Sequence, residues 1–232
     1  KKGLRLAKGK YVWIAESDDF NDIKFLETYM NVEANNSKIG LFASGIIVFG
    51  DDQEEEVFRP FSNGRQQGFQ IVCEKLIKTN SFKNGSSILF LKEALDDYCI
   101  DKLDNFRLSG DWWLWVNILK NYDAFYLPDV LTSYRKHDQA STFNLLDNPV
   151  LYKEALLIFE DILSWQPVLQ KTVDRLIDTW VYRLHNTRIR SEDKQELIEQ
   201  FCKHLSKKGK TKVFIKYKKP FTRVYWVLKG IY

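Results

Sequence analysis

The sequence predicts an α/β fold, a mixed sheet with flanking helices, followed by a mostly helical C-terminal extension. Two observations carry this. Short runs rich in β-branched and aromatic residues, at Tyr11–Ala15, Ile39–Phe49 and Ser87–Leu91, alternate with segments of helical spacing. From about Asn148 onward, long helical patterns succeed one another. The bulk numbers agree: 232 residues can bury a sizeable core, and 44% hydrophobic with 15% aromatic residues argue against disorder.

The elements follow in order. Lys1–Gly9 reads as the last turns of a helix stopped by Gly9, so the chain is expected to begin inside a larger fold. Tyr11–Ala15 is an apolar run after a turn signal and reads as a buried strand. Asn21 or Asp22 can cap a helix over about 23–33, with Phe25, Leu26, Tyr29 and Met30 as its apolar stripe. Ile39–Phe49 is the next strand, and the acidic run Gly50–Glu56 reads as a solvated turn. Gln67–Lys78 is predicted helical, Ser87–Leu91 a buried strand, and 109–121 a helix. Ala124–Leu127 and Val130–Arg135 read as two strand segments around Pro128. Helices are predicted over 150–164, 168–190 and 192–206. The domain boundary is placed at 147/148, dividing 1–147 from 148–232.

Charge is unevenly spread. The net charge is +4, yet residues 203–232 hold ten Lys or Arg and no acid, leaving 25 basic against 31 acidic side chains before them, a balance of −6. The tail interleaves its lysines with Phe214, Tyr217, Phe221, Tyr225 and Trp226. That combination suits an anionic membrane surface, or a solvated helix whose aromatics pack on the body. Nucleic acid is the weaker reading, because no recognised nucleic-acid-binding motif accompanies the charge. Cys73, Cys99 and Cys202 are widely spaced and odd in number, which disfavours a disulfide framework or a zinc site. A cytoplasmic setting is expected, with the inner face of the membrane within reach of the tail.

The chemistry concentrates in Glu16-Ser17-Asp18-Asp19, three carboxylates and a hydroxyl directly after a strand. Ligands of open α/β sheets gather at strand carboxyl ends. Crowded carboxylates repel, and a hard divalent cation relieves them. The bland alternative is an exposed acidic turn that caps the next helix. Asp111, at a predicted helix start, has its own bland reading as a first-turn acid. Trp112, Trp113 and Trp115 cannot share one helix face, since adjacent residues point about 100° apart. Either Trp112 or Trp113 is therefore a candidate for lining a cleft, with core packing as the alternative.

Taken together, these residues resemble the family 2 glycosyltransferases. Gly3-Leu4-x-x-Ala7-x-Gly9-x-Tyr11-Val12 leading into Glu16-Ser17-Asp18-Asp19 is similar to the family's helix, strand and D-x-D segment. Gly110-Asp111-Trp112-x-Leu114-Trp115 is similar to its E-D-x-x-L-W segment. Asn84-Gly85-Ser86-Ser87 falls where the family carries a small-residue strand, and Tyr134-Arg135-Lys136-His137 with Ser141 is similar to its Y-R-x-H-x-x-S ending. Glu16 and Gly110 depart from the usual Asp and Glu. The resemblance implies a partial GT-A-like (Rossmann-like) sheet lacking the N-terminal nucleotide-binding strands. It implies inverting transfer of a sugar from a nucleotide-diphosphate donor to a carbohydrate or lipid-linked hydroxyl acceptor, in glycan or cell-surface polysaccharide synthesis. Asp111 would be the general base. Asp18, Glu16 and His137 would hold Mn²⁺ or Mg²⁺, and Arg135 and His137 would contact the diphosphate. The alternative is a non-catalytic glycosyltransferase-like scaffold or membrane-associated binding module.

Overall fold

The computed structural model describes residues 1–33, 38–50, 53–136 and 145–206. The chain divides into two compact units, Lys1–Phe143 and Asn144–Tyr232.

In the first unit, β1 (Tyr11–Trp13), β2 (Phe20–Asn21), β3 (Ile39–Gly50), β4 (Gln53–Phe58), β5 (Gly64–Gln66), β6 (Ile88–Leu91) and β7 (Asp123–Lys136) form one mixed sheet. Its path runs β1-β6-β3-β7-β2, with β4 on β3 and β5 on β7. Among the described residues only the β3–β7 pairing is parallel; the others are antiparallel. The fold class read from the sequence is therefore the one observed: a mixed α/β sheet with flanking helices.

Strand alternation sorts the core into two layers. On one face, Phe42 of β3 and Leu89 of β6 pack with Phe25 and Tyr29 of α2 (Phe25–Glu33). Trp13 stacks on Phe25 at 4.8 Å, and the buried Tyr29 hydroxyl donates to the Ser87 carbonyl at 2.9 Å. On the other face, Phe90 of β6 meets Trp115 of α5 (Gly110–Leu119) edge-on at 5.5 Å. Eight consecutive residues of α5, Trp112 to Leu119, are buried. A helix apolar all round belongs inside, and this one is enclosed.

Several local readings are revised. The N-terminal helix α1 (Lys2–Leu6) ends before Gly9, because Ala7 is already extended at ψ 132°. Asn21 pairs in β2, leaving the turn into α2 to Asp22, whose side chain accepts from the Lys24 amide. Within the acidic run, residues 53–56 are strand rather than turn, although Glu55 and Glu56 are solvent-exposed as expected. They open β4, which covers the far edge of the long strand β3; an uncovered edge would leave a row of ladder groups unpaired. The segments around Pro128 are one strand, β7. Ser44 pairs with Leu127 and Gly45 with Val130, so Pro128 and Asp129 bulge out of the ladder. Proline has no amide proton to donate, and a bulge accommodates it there. The helix at Gln67–Lys78 is short: α3 (Gly68–Ile71) loosens into a wider π turn over Val72–Leu76. A further helix, α4 (Asp97–Lys102), is capped by Asp96, which accepts from the Cys99 amide at 2.7 Å.

The second unit contains α6 (Pro149–Trp165), α7 (Gln170–His185) and α8 (Ser191–Lys203). Asn148 caps α6 by accepting from the Val150 amide, and Pro149 occupies the first turn, where its missing amide proton costs nothing. Trp180 of α7 joins the three helices, with Tyr152, Phe159 and Phe201 packed around it at 5.5–6.4 Å. The predicted helix over 168–190 is shorter at both ends, with a 3₁₀ turn at Pro167–Leu169 and its last turn at His185. No helix among the described residues is long and apolar enough to cross a membrane. Residues 207–232 of the basic tail lie outside the described residues.

Gly68 marks the tightest approach in the first unit. A Cβ there would lie 1.9 Å from the Tyr122 carbonyl oxygen and 2.5 Å from that of Leu119, while its amide donates to Asp123 Oδ1 at 3.0 Å. Backbone cannot retreat as a side chain can. Gly68→Ala is expected to destabilise the protein by about 1–3 kcal/mol or more, the usual range for overpacking. Urea unfolding checks this, and an unchanged midpoint would contradict the close approach.

Candidate active site

The acidic segment lies where β1 ends. Because β1 and β6 are antiparallel, with Trp13 opposite Leu89, the exit from β1 runs alongside the entry to β6. That entry is Asn84-Gly85-Ser86-Ser87, a 3₁₀ turn at Gly85–Ser87 capped by Asn84. Two hydrogen bonds join the segments: the Glu16 amide donates to Ser86 Oγ at 2.9 Å, and Trp13 Nε1 donates to the Ser86 carbonyl at 2.9 Å. A Cβ at position 85 would already lie 3.8 Å from Glu16 Oε1, so a larger side chain there would crowd that carboxylate. The small-residue run gives that carboxylate its room.

Glu16, Asp18 and Asp19 each present one carboxylate oxygen, and these atoms lie within 4.8 Å of one another. Asn84 Nδ2 donates to Asp19 Oδ2 at 2.7 Å and, more loosely, to Glu16 Oε2 at 3.4 Å. The Arg135 amide donates to Asp19 Oδ1 at 3.2 Å, tying the loop to β7. Hard, clustered oxygen donors are the set that Mg²⁺ and Mn²⁺ prefer.

The electrostatics fit the same group. The Glu16 carboxyl is pushed up from 4.5 to about 7; withdrawal from water is the largest cause, followed by the charges of Asp19, Asp18 and Asp111 and a hydrogen bond with Asp19. Negative charge here exceeds what the surrounding donors offset, and a bound cation would complete the balance. Asp111 is tied to the same region through the segment 80–84, since Asn80 donates to Asp111 and Asn84 to Asp19.

Asp111 occupies the first turn of α5, where the helix dipole favours a negative charge. Its Oδ1 accepts from the Trp112 amide at 2.7 Å and its Oδ2 from Asn80 Nδ2 at 2.7 Å. Neither candidate tryptophan lines a cleft. Trp112 and Trp113 are both buried, their indole N–H groups donating to the carbonyls of Leu76 and Cys99. Helix α5 has core on every side, so the 100° between them separates two buried directions.

The structure thus brings together Glu16, Asp18, the Arg135 backbone and Asp111; His137 lies outside the described residues. Asn80 escaped the sequence reading, and Asp19 and Asn84, though named within their motifs, were given no separate role. Asp19 is the best anchored of the acids, and Asn80 and Asn84 are the donors that hold the carboxylates. A signal for the asparagines existed in the spacing Asn80-x-Phe82 and Asn84-x-x-Ser87, where a side-chain oxygen can accept from an amide two or three residues on.

No known family profile and no curated protein sequence matches the chain. Solved structures do. A crystal structure of S. aureus TarS 1-349 aligns at 13% identity and a TM-score of 0.45, covering 97% of this chain and 56% of that one. The same fragment in complex with UDP-GlcNAc aligns at 12% identity and a TM-score of 0.47, covering 97% and 57%. The chain spans a little over half the length of these structures.

The raised Glu16 carboxyl makes stability depend on pH. In the unfolded chain it loses its proton near 4.5, in the folded protein only near 7. Between those values the unfolded state is the more ionised, so folding weakens as pH rises from 4.5 to 7. Glu16→Gln, which cannot ionise, should match wild type below pH 4.5 and be the more stable at pH 7.5 without added metal. Thermal midpoints over that range decide it; parallel curves for the two proteins would refute the shift.

Proposed function

We propose that this protein transfers a sugar from a nucleotide-diphosphate donor to a hydroxyl acceptor, using Asp111 as general base and the Glu16–Asp19 loop as the diphosphate-side metal site. One observation carries the reading: the acid cluster and Asp111 are two separately held carboxylate groups, bonded by Asn84 and Asn80 at the two ends of one short segment, 80–84. Glycosyl transfer needs that division of labour. One group faces the leaving diphosphate, and the other faces the attacking hydroxyl. The order of the family-like motifs along the chain supports the same reading.

Asp111 accepts the proton of the acceptor hydroxyl as its oxygen attacks the anomeric carbon. The bond from that carbon to the diphosphate oxygen breaks on the opposite face, and the configuration inverts. The Trp112 amide and Asn80 hold the base in place, so its orientation precedes substrate binding. Asp18 and Glu16, with His137, would hold Mn²⁺ or Mg²⁺, while Asp19, gripped by Asn84 and the Arg135 amide, steadies the loop. A divalent ion held by these residues would neutralise charge on the departing diphosphate. Arg135, whose amide already donates to Asp19, would add positive charge toward the diphosphate. The acceptor class is a carbohydrate or lipid-linked hydroxyl, and residues 203–232 would bring the enzyme to an anionic membrane surface.

Full-length protein incubated with a panel of nucleotide sugars and Mn²⁺ should release nucleoside diphosphate. Asp111→Asn should lower kcat by about 10²–10⁴-fold, the usual contribution of a positioned general base. Asp18→Ala should abolish turnover, with thermal midpoints close to wild type in both variants. Wild-type rates in either variant would remove the mechanism.

A further inference from the structure

One short loop touches both carboxylate groups. Residues 80–84 run from Asn80, bonded to Asp111, to Asn84, bonded to Asp19 and Glu16. The two asparagines are set alike. Asn80 Oδ1 accepts from the Phe82 amide at 3.1 Å, and Asn84 Oδ1 accepts from the Ser87 amide at 3.1 Å. Each backbone donor occupies the amide's oxygen, so each NH₂ group must point the other way, toward a carboxylate. Asn84 is also buried, at 3% exposure.

Between them, Phe82 fixes the loop to the core. It is 4% exposed, packs on Phe61 at 4.8 Å, and meets Trp115 at 6.4 Å. Trp115 belongs to α5, the helix that carries Asp111. At the other end, Asn84 leads into β6, which is paired to β1. The loop therefore spans the two elements that supply the acids, with an anchor at its middle.

We propose that residues 80–84 act as a spacer that sets Asp111 relative to the Glu16–Asp19 loop, with Asn80 and Asn84 as positioning residues at its two ends. Neither asparagine takes part in bond making. Each orients a carboxylate by donating one hydrogen bond, and Phe82 keeps the two ends in register. The catalytic consequence rests on the transferase reading above; the arrangement of the loop does not.

The test separates the ends from the middle. In full-length protein, Asn84→Ala should weaken Mn²⁺ binding, followed by electron paramagnetic resonance, by about tenfold, as loss of a hydrogen bond to a metal-holding carboxylate usually does. Asn80→Ala should leave Mn²⁺ affinity unchanged and lower kcat by about tenfold with KM nearly constant. Asn80→Ser, which keeps a short donor, should recover part of that loss. Phe82→Leu, which retains an apolar anchor, should impair both readouts although it touches neither carboxylate group. Side-chain amide exchange by NMR reads the contacts without metal or substrate. Asp111→Ala should speed exchange at Asn80 alone, and Asp19→Ala at Asn84 alone. If wild-type protein turns over no nucleotide sugar, the transferase reading falls, while amide exchange still decides the spacer. Unchanged exchange in both Asp variants, or a Phe82→Leu variant that behaves as wild type, would overturn it.

Discussion

The antiparallel pairing of β1 with β6 is the constraint on which the site depends. It makes the end of one strand the neighbour of the beginning of the other, and so places Glu16 beside Ser86 and Asp19 beside Asn84. A parallel pairing would have sent the acidic loop to the opposite end of β6. The same register leaves Leu89 toward α2 and Phe90 toward α5, so one strand pair sets the site and both core layers.

Around that pairing, polar groups offset only part of a strong local repulsion. Asn84, the Arg135 amide and Ser86 give the loop its hydrogen bonds, yet Glu16 still holds its proton to about pH 7. These bonds hold the loop in place and leave its acidic charge only partly offset. Asp111 contrasts with it, being held by a backbone amide and a neutral side chain at a helix start. The two environments suit two different tasks for the same chemical group.

Much of this was legible before the structure. The apolar runs at Tyr11–Trp13, Ile39–Phe49 and Ile88–Leu91 became strands because each is a short β-prone stretch bounded by turn residues. The acidic loop and Asp111 stood out by residue type and by the motif around each. The errors have physical causes. Residues 53–56 read as a turn from their charge, but a long strand needed its edge covered. The tryptophans suggested a cleft wall because helical geometry separates them, and that argument presumed an exposed side which α5 lacks. Asn80 and the donor role of Asn84 were missed because an asparagine between helix and strand is ordinary; what matters is the carboxylate each one meets.

By itself, then, the sequence determined the main strands and helices, their order and the chemical character of the acids, because periodicity and residue type act over a few neighbouring positions. Tertiary structure decided which acids share a site, which donors hold them, and that all three tryptophans of α5 lie in the core. Asn84 and Asp19 are 65 residues apart, and Asn80 and Asp111 are 31 apart. Contacts across such separations depend on strand register and helix placement, which no local pattern encodes.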